Sequence, residues 1–206
     1  MALTLDGTLG LSAPAANIAG TLLVNNAAAL TTAATATLNT AQLAALSTAQ
    51  VVALSTAQVA NLGSAQVAAL TSAQVAGMQT VDVSSLSTNG IQALTSAQLG
   101  ALATAQVRAL TSTQVGSFTT SQLAALNANQ AAALDTVDLA QLNSAQVRAL
   151  TADAVAGLTT AQITNLTTAQ TQTLTTAQVV ALGTAQVAAL TTAQLANLST
   201  DQVAAL

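Results

Sequence analysis

The sequence predicts an all-α fold, a solenoid of short capped helices with one helix per eight residues. Three observations predict it. From Leu30 onward a leucine returns every eighth residue with no insertion or deletion, through 22 octads to Leu206, and of these 23 first positions only Met78 and Phe118 depart from Leu. The second position is Ser, Thr, Asn, Asp or Gly in 20 of 22 octads, and Gln holds the fifth in 17. The sixth is Val, Ile or Leu in 19 of 22, failing only at Thr35, Ala131 and Thr171.

The first element in chain order, residues 1–29, is of another kind. Leu3, Leu5, Leu9 and Leu11 alternate with Thr and small residues around Asp6-Gly7, a pair that suits a two-residue hairpin turn. Pro14 closes this unit, and LLVNN at 22–26 leads into the repeats, with Leu22 already in octad register. Residues 1–29 are therefore expected to be a small β-hairpin-like segment that caps the array or connects subunits. No positive n-region precedes it, so no Sec-type signal peptide is expected.

The octads fill residues 30–206. A continuous α-helix advances about 100° per residue, so a leucine every eight residues would drift some 80° per octad and its apolar stripe would wind round the rod. In a flat strand the five-residue step from Leu to Val puts the two apolar positions on opposite faces. Helices restarted in every octad satisfy both. With Leu at N′, the next residue is the N-cap and Gln falls at N3, which makes a capping box, while Val at N4 makes a hydrophobic staple against Leu. Thr or Ser fills the third position everywhere except Ala128 and Ala152, and Ala recurs at positions four, seven and eight, where it supplies helix propensity. Asn61, Gly77, Gly157, Asn165 and Asn197, all at position eight, suit a left-handed residue that ends a helix of roughly six residues. The alternative is a β-solenoid with octad sides, favoured by Thr and Val but opposed by Ala and Gln.

Two apolar side chains do not offset the entropy of ordering eight residues, so stability has to come from octads stacking in a one-dimensional array. Leu is then expected to pack on Leu of adjacent octads. Asp201-Gln202-Val203-Ala204-Ala205 runs in frame to Leu206, which leaves this end of the array to be a boundary or a docking surface. Leu3, Leu5, Leu9, Leu11, Leu198, Val203 and Leu206 are accordingly the candidate subunit contacts.

Composition excludes most chemistry. The chain has no Cys, His, Lys, Glu, Trp or Tyr, one Phe, and a net charge of −4 with Arg108 and Arg148 as its bases. Two cations cannot neutralise a phosphate backbone, so nucleic acid is not an expected partner. Without His, Cys or Glu the usual zinc ligands are missing, and the abundant Ser and Thr lack a base to activate them. No catalytic residue, metal or cofactor is expected. Asp135 and Asp138 fall at N-cap and N3 of one octad, and Asp153 and Asp201 in first turns, where acids complement the helix dipole. Arg108 and Arg148 share position seven, an outward face. No run of 18 apolar residues exists, so no membrane span is expected.

LTTAQVVA (174–181) and LGTAQVAAL (182–190) resemble the Ala/Thr/Gln-rich octapeptide-repeat arrays of large bacterial secreted or surface adhesin-like proteins, and the resemblance extends over residues 30–206. It implies an extracellular or cell-surface location. TTAQV also resembles the TPEQV opening of the first helix in TAL-effector repeats, a likeness confined to the capped helix start. The expected function is structural: a homo-oligomer that polymerises end to end into an extracellular filament, matrix fibre or surface layer. The alternative is an adhesive stalk whose Thr/Ser face contacts a surface, a glycan or ice.

Overall fold

The computed structural model describes residues 30–206, and the hairpin expected within 1–29 lies outside them. The described residues form 22 α-helices of four to six residues, from α1 (Thr32–Thr37) to α22 (Thr200–Ala204), and no strand. The chain divides into two compact units, Met1–Leu102 and Ala103–Leu206. Helices α1 to α9 (Ser96–Gly100) belong to the first, and α10 (Thr104–Arg108) to α22 to the second.

Each helix starts as the octad dictates. In α19 (Thr176–Val180) the N-cap Thr175 is extended at φ −72°, ψ 158°; its hydroxyl accepts from the Gln178 N–H at 3.2 Å, and Gln178 Oε1 accepts from the Thr175 N–H at 2.8 Å. Both orphan amides of the helix start are thereby satisfied. Gly63 and Gly183 keep only the second half of this exchange, giving their N–H to Gln66 and Gln186 at 2.8 and 2.7 Å.

The helix ends differ from the expectation. Among the described residues none has a positive φ, so no left-handed residue terminates a helix. The reason shows in α16 and α17, where the chain leaves the helix through two extended residues, Leu158 or Leu166 and the next N-cap, and has no need to reverse. Asn61 sits at φ −94°, ψ 1° and donates its Nδ2 to the Ala57 carbonyl at 2.8 Å; Asn165 and Asn197 reach Ala161 and Ala193 in the same way. Gly77 and Gly157 serve close approach instead. A Cβ at Gly77 would lie 2.6 Å from Thr48 Cγ2, and one at Gly157 would lie 2.5 Å from the Ala128 carbonyl oxygen.

Packing follows a period of three helices. Within each unit a helix lies on the third one along: α1 on α4 (Thr56–Ala60), α5 (Ser64–Ala69) on α8 (Thr88–Ala93), α13 (Ala128–Ala133) on α16 (Ala152–Gly157), α19 on α22. One turn therefore takes three octads, and the direct stacking neighbour of an octad is the third one along, not the adjacent one. First and sixth positions make the core: Leu62, Val67, Leu70 and Val75 in the first unit, and Leu142, Val147, Leu150 and Val155 in the second, are all buried. The polar exceptions at position six are accommodated. Thr35 and Thr171 are fully buried and return their hydroxyls to Thr31 and Thr167 carbonyls at 3.1 and 3.0 Å.

Candidate functional site

A repeated fifth-position glutamine is the most ordered polar feature of the molecule. Helix formation places it at N3 with its side chain pointing inward, and Gln58, Gln98, Gln162, Gln178 and Gln202 are each only 2 % exposed. A buried primary amide must use both ends. Its oxygen accepts from the N-cap N–H of its own octad. Its Nε2 donates to the carbonyl of the leucine-position residue that opens the octad three places earlier. Within the two units the bond runs from Gln58 to Leu30, Gln66 to Leu38, Gln74 to Leu46, Gln98 to Leu70, Gln146 to Phe118, Gln162 to Leu134, Gln170 to Leu142, Gln178 to Leu150, Gln186 to Leu158, Gln194 to Leu166 and Gln202 to Leu174, at 2.5–2.8 Å. The same nitrogen also reaches carbonyls at the end of the helix below, such as Leu139 from Gln170 at 2.8 Å and Ile163 from Gln194 at 2.8 Å. One side chain thus caps the start of its own helix and the end of another in the turn below. The Gln42 amide nitrogen, by contrast, is buried without a partner.

Four described octads beyond the first lack this glutamine, with Asp82, Gly90, Asp138 and Ala154 in its place. Asp82 and Asp138 are buried, and each is met by a third-position hydroxyl of the turn below: Thr56 Oγ1 donates to Asp82 at 3.0 Å, and Ser112 Oγ to Asp138 at 2.7 Å. Asp138 also accepts from the Asp135 N–H at 3.3 Å, whereas the Asp135 side chain makes no cap bond. Asp82 makes no such bond to its N-cap, and its Oδ2 is buried without a partner. An aspartate has no amide hydrogen to give, so the carbonyls of Leu54 and Leu110, which open the octads three places before these two, lose the donor that their counterparts have.

The outward positions are two, three, four and seven. Arg108 and Arg148 are exposed in the last turns of α10 and α15 (Ser144–Ala149), and Asp153 and Asp201 are exposed in first turns. Among the candidate contacts, Leu198 is half-buried, and Val203 and Leu206 are 56 % and 49 % exposed; Leu3, Leu5, Leu9 and Leu11 lie outside the described residues. Among the described residues no group of three His, Cys, Asp or Glu could hold a metal ion, and no helix is long and apolar enough to cross a membrane.

Two open cavities occupy equivalent corners of the second unit. One, of about 440 Å³, is lined by Leu134, Asp135 and Thr136 at the start of one octad, by Thr159 and Gln162 of the octad a turn later, and by Arg108. The other, of about 650 Å³, is lined by Leu126, Asn127 and Asn129 and by Thr151, Asp153 and Gly157. Sequence reasoning missed both, because the residues that meet there belong to octads a full turn apart.

A family model described as the ALTTAQ repeat matches the chain in tandem stretches, at residues 28–56, 48–80, 75–112, 101–136, 131–168, 164–192 and 173–206. Among curated proteins none matches.

Proposed function

The chain belongs to the ALTTAQ repeat family over residues 28–206, and from that premise we propose that it is a structural protein, a stiff self-assembling element of an extracellular filament, matrix fibre or surface layer. The interface between successive turns carries this reading. Each octad presents one face to the octad three before it and a different face to the octad three after it, with the same Leu, Val and Gln in the same register. Such a head-to-tail interface is heterologous, and repeated without closing it builds an open filament. Sparse charge supports the same reading, since two arginines and six aspartates offer little repulsion against self-association. The buried polar side chains are engaged in holding turns together, which fits a non-enzymatic role. Negative-stain microscopy of the purified chain is expected to show filaments; a monodisperse monomer at high concentration overturns the assembly.

A second reading has its own observation. Thr at the third position is exposed on successive turns, as at Thr160 and Thr184 and at Thr168 and Thr192. This face would suit an adhesive stalk that contacts a surface or glycan. Replacing a run of third-position Thr by bulky residues is expected to abolish such binding and leave assembly intact; unchanged adhesion sinks it.

A further inference from the structure

We propose that Asp82 anchors a site for a monovalent cation of sodium's size, completed by the Leu54 carbonyl and the Thr56 hydroxyl of the turn below. The site is independent of whether arrays polymerise.

Charge points to it first. Asp82 is 2 % exposed, and among the described residues of the first unit it is the only charged side chain, since both arginines belong to the second. A buried charge is paired or coordinates a metal, and no arginine of its own unit can pair with Asp82. The carboxylate has one hydrogen bond, accepted by Oδ1 from Thr56 Oγ1 at 3.0 Å, while Oδ2 is buried without a partner.

The repeat shows what the surrounding cell is built to hold. In the complete cell of Gln98, Nε2 faces the carbonyls of Val67, Ala68 and Leu70 at 3.1, 3.4 and 2.5 Å. An N–H donor thus sits among carbonyls at a helix end, where backbone acceptors lack partners within the helix. The equivalent carbonyls at Asp82 are those of Val51, Val52 and Leu54, at the end of α3 (Thr48–Val52). A carboxylate reverses the sign there, because it brings negative charge and has no hydrogen to give. The Leu54 carbonyl, on a residue only 2 % exposed, accepts no hydrogen bond among the described residues.

The spacing suits an ion. Aspartate is one methylene shorter than glutamine, so its oxygen draws back by up to about 1.5 Å from the place of the amide nitrogen, to roughly 4 Å from the leucine carbonyl. Two oxygens so separated can share a cation that holds each at about 2.3–2.6 Å, the range of calcium and of sodium, which has nearly the same radius. One carboxylate balances one unit of charge, so a monovalent ion leaves the cell neutral, whereas a divalent ion leaves a net charge buried. Thr56 is exposed, which puts the carboxylate one hydroxyl away from solvent and gives the ion its way in. Asp138 is the internal comparison: both its oxygens are engaged, by Ser112 Oγ at 2.7 Å and the Asp135 N–H at 3.3 Å, so the same substitution there leaves no oxygen for an ion.

The test uses the full chain, isotope-labelled, with the Leu54 carbonyl shift and the urea midpoint followed as sodium chloride replaces tetramethylammonium chloride at constant ionic strength. A saturable shift at Leu54 and a rising midpoint are expected, with about a tenfold gain in the folding constant at about ten times the half-saturating sodium concentration. Asp82→Asn, which puts an amide in place of the carboxylate, is expected to abolish both responses, and Asp138→Asn to leave them unchanged. The Leu54 shift in the unsubstituted chain decides the matter even if Asp82→Asn fails to fold. A Leu54 carbonyl indifferent to sodium, which is what a bridging water would give, overturns the proposal. So does a sodium response that survives Asp82→Asn, or a response to calcium chloride without one to sodium.

Discussion

Gln178→Ala should destabilise the second unit far more than loss of the helix cap beside it. The side chain is buried, its Oε1 takes the Thr175 N–H at 2.8 Å, and its Nε2 gives to the Leu150 carbonyl at 2.7 Å and the Val147 carbonyl at 3.1 Å. The Val147 carbonyl keeps the Leu150 N–H at 3.2 Å, so truncation strands two backbone groups, the Thr175 N–H and the Leu150 carbonyl. At about 1–3 kcal/mol for each buried group left unsatisfied, the cost is about 2–6 kcal/mol. Thr175→Ala removes only the hydroxyl that accepts from the Gln178 N–H at 3.2 Å, a cap worth about 1 kcal/mol. Gln178→Glu keeps the acceptor but turns a carboxylate oxygen towards two carbonyls, and should cost at least as much as alanine. Urea unfolding followed by far-UV circular dichroism measures all three, and hydrogen exchange should show the Thr175 amide losing protection in Gln178→Ala. A Gln178→Ala chain as stable as Thr175→Ala would refute the idea that glutamine ties one turn to the next.

Three further substitutions probe other parts of the fold by the same unfolding assay. Gly157→Ala puts a Cβ 2.5 Å from a backbone oxygen that cannot swing away, so about 1–3 kcal/mol of destabilisation is expected, whereas Gly183→Ala meets only Gln186 Oε1 at 3.6 Å and should change stability by less than about 1 kcal/mol. Leu166→Ala empties a buried first position and should cost about 2–5 kcal/mol. Thr171→Val, which replaces a fully buried hydroxyl bonded only within its own helix, should be neutral or stabilising within about 1 kcal/mol; a large loss would mean that this hydroxyl has a structural role beyond the helix.

The helix start was legible because it is local. Ser47, Thr95 or Thr175 at the cap and Gln50, Gln98 or Gln178 three residues later are enough to specify a capping box, and the structure has it at all three. The second task of the glutamine was not legible. Its nitrogen bonds to a carbonyl of the turn below, a relation that exists only once the chain turns every three helices, and the octad alone leaves the length of a turn open. Position eight misled for the opposite reason. Asn and Gly there match a left-handed helix end, yet an extended Leu and N-cap already carry the chain onward, so Asn165 bonds to Ala161 and Gly157 admits Ala128.

The period of three octads per turn is the central claim, and the absence of native cysteine makes it directly measurable. Spin labels can be placed in pairs at the exposed third positions, with Thr160→Cys combined in turn with Thr168→Cys, Thr176→Cys and Thr184→Cys, and their separations read by double electron–electron resonance. Residues three octads apart lie on helices stacked one on another, roughly 10 Å between axes, so the Thr160/Thr184 pair is predicted to be closer than Thr160/Thr176, only two octads apart. A separation that grows steadily from the first pair to the second to the third would contradict the account.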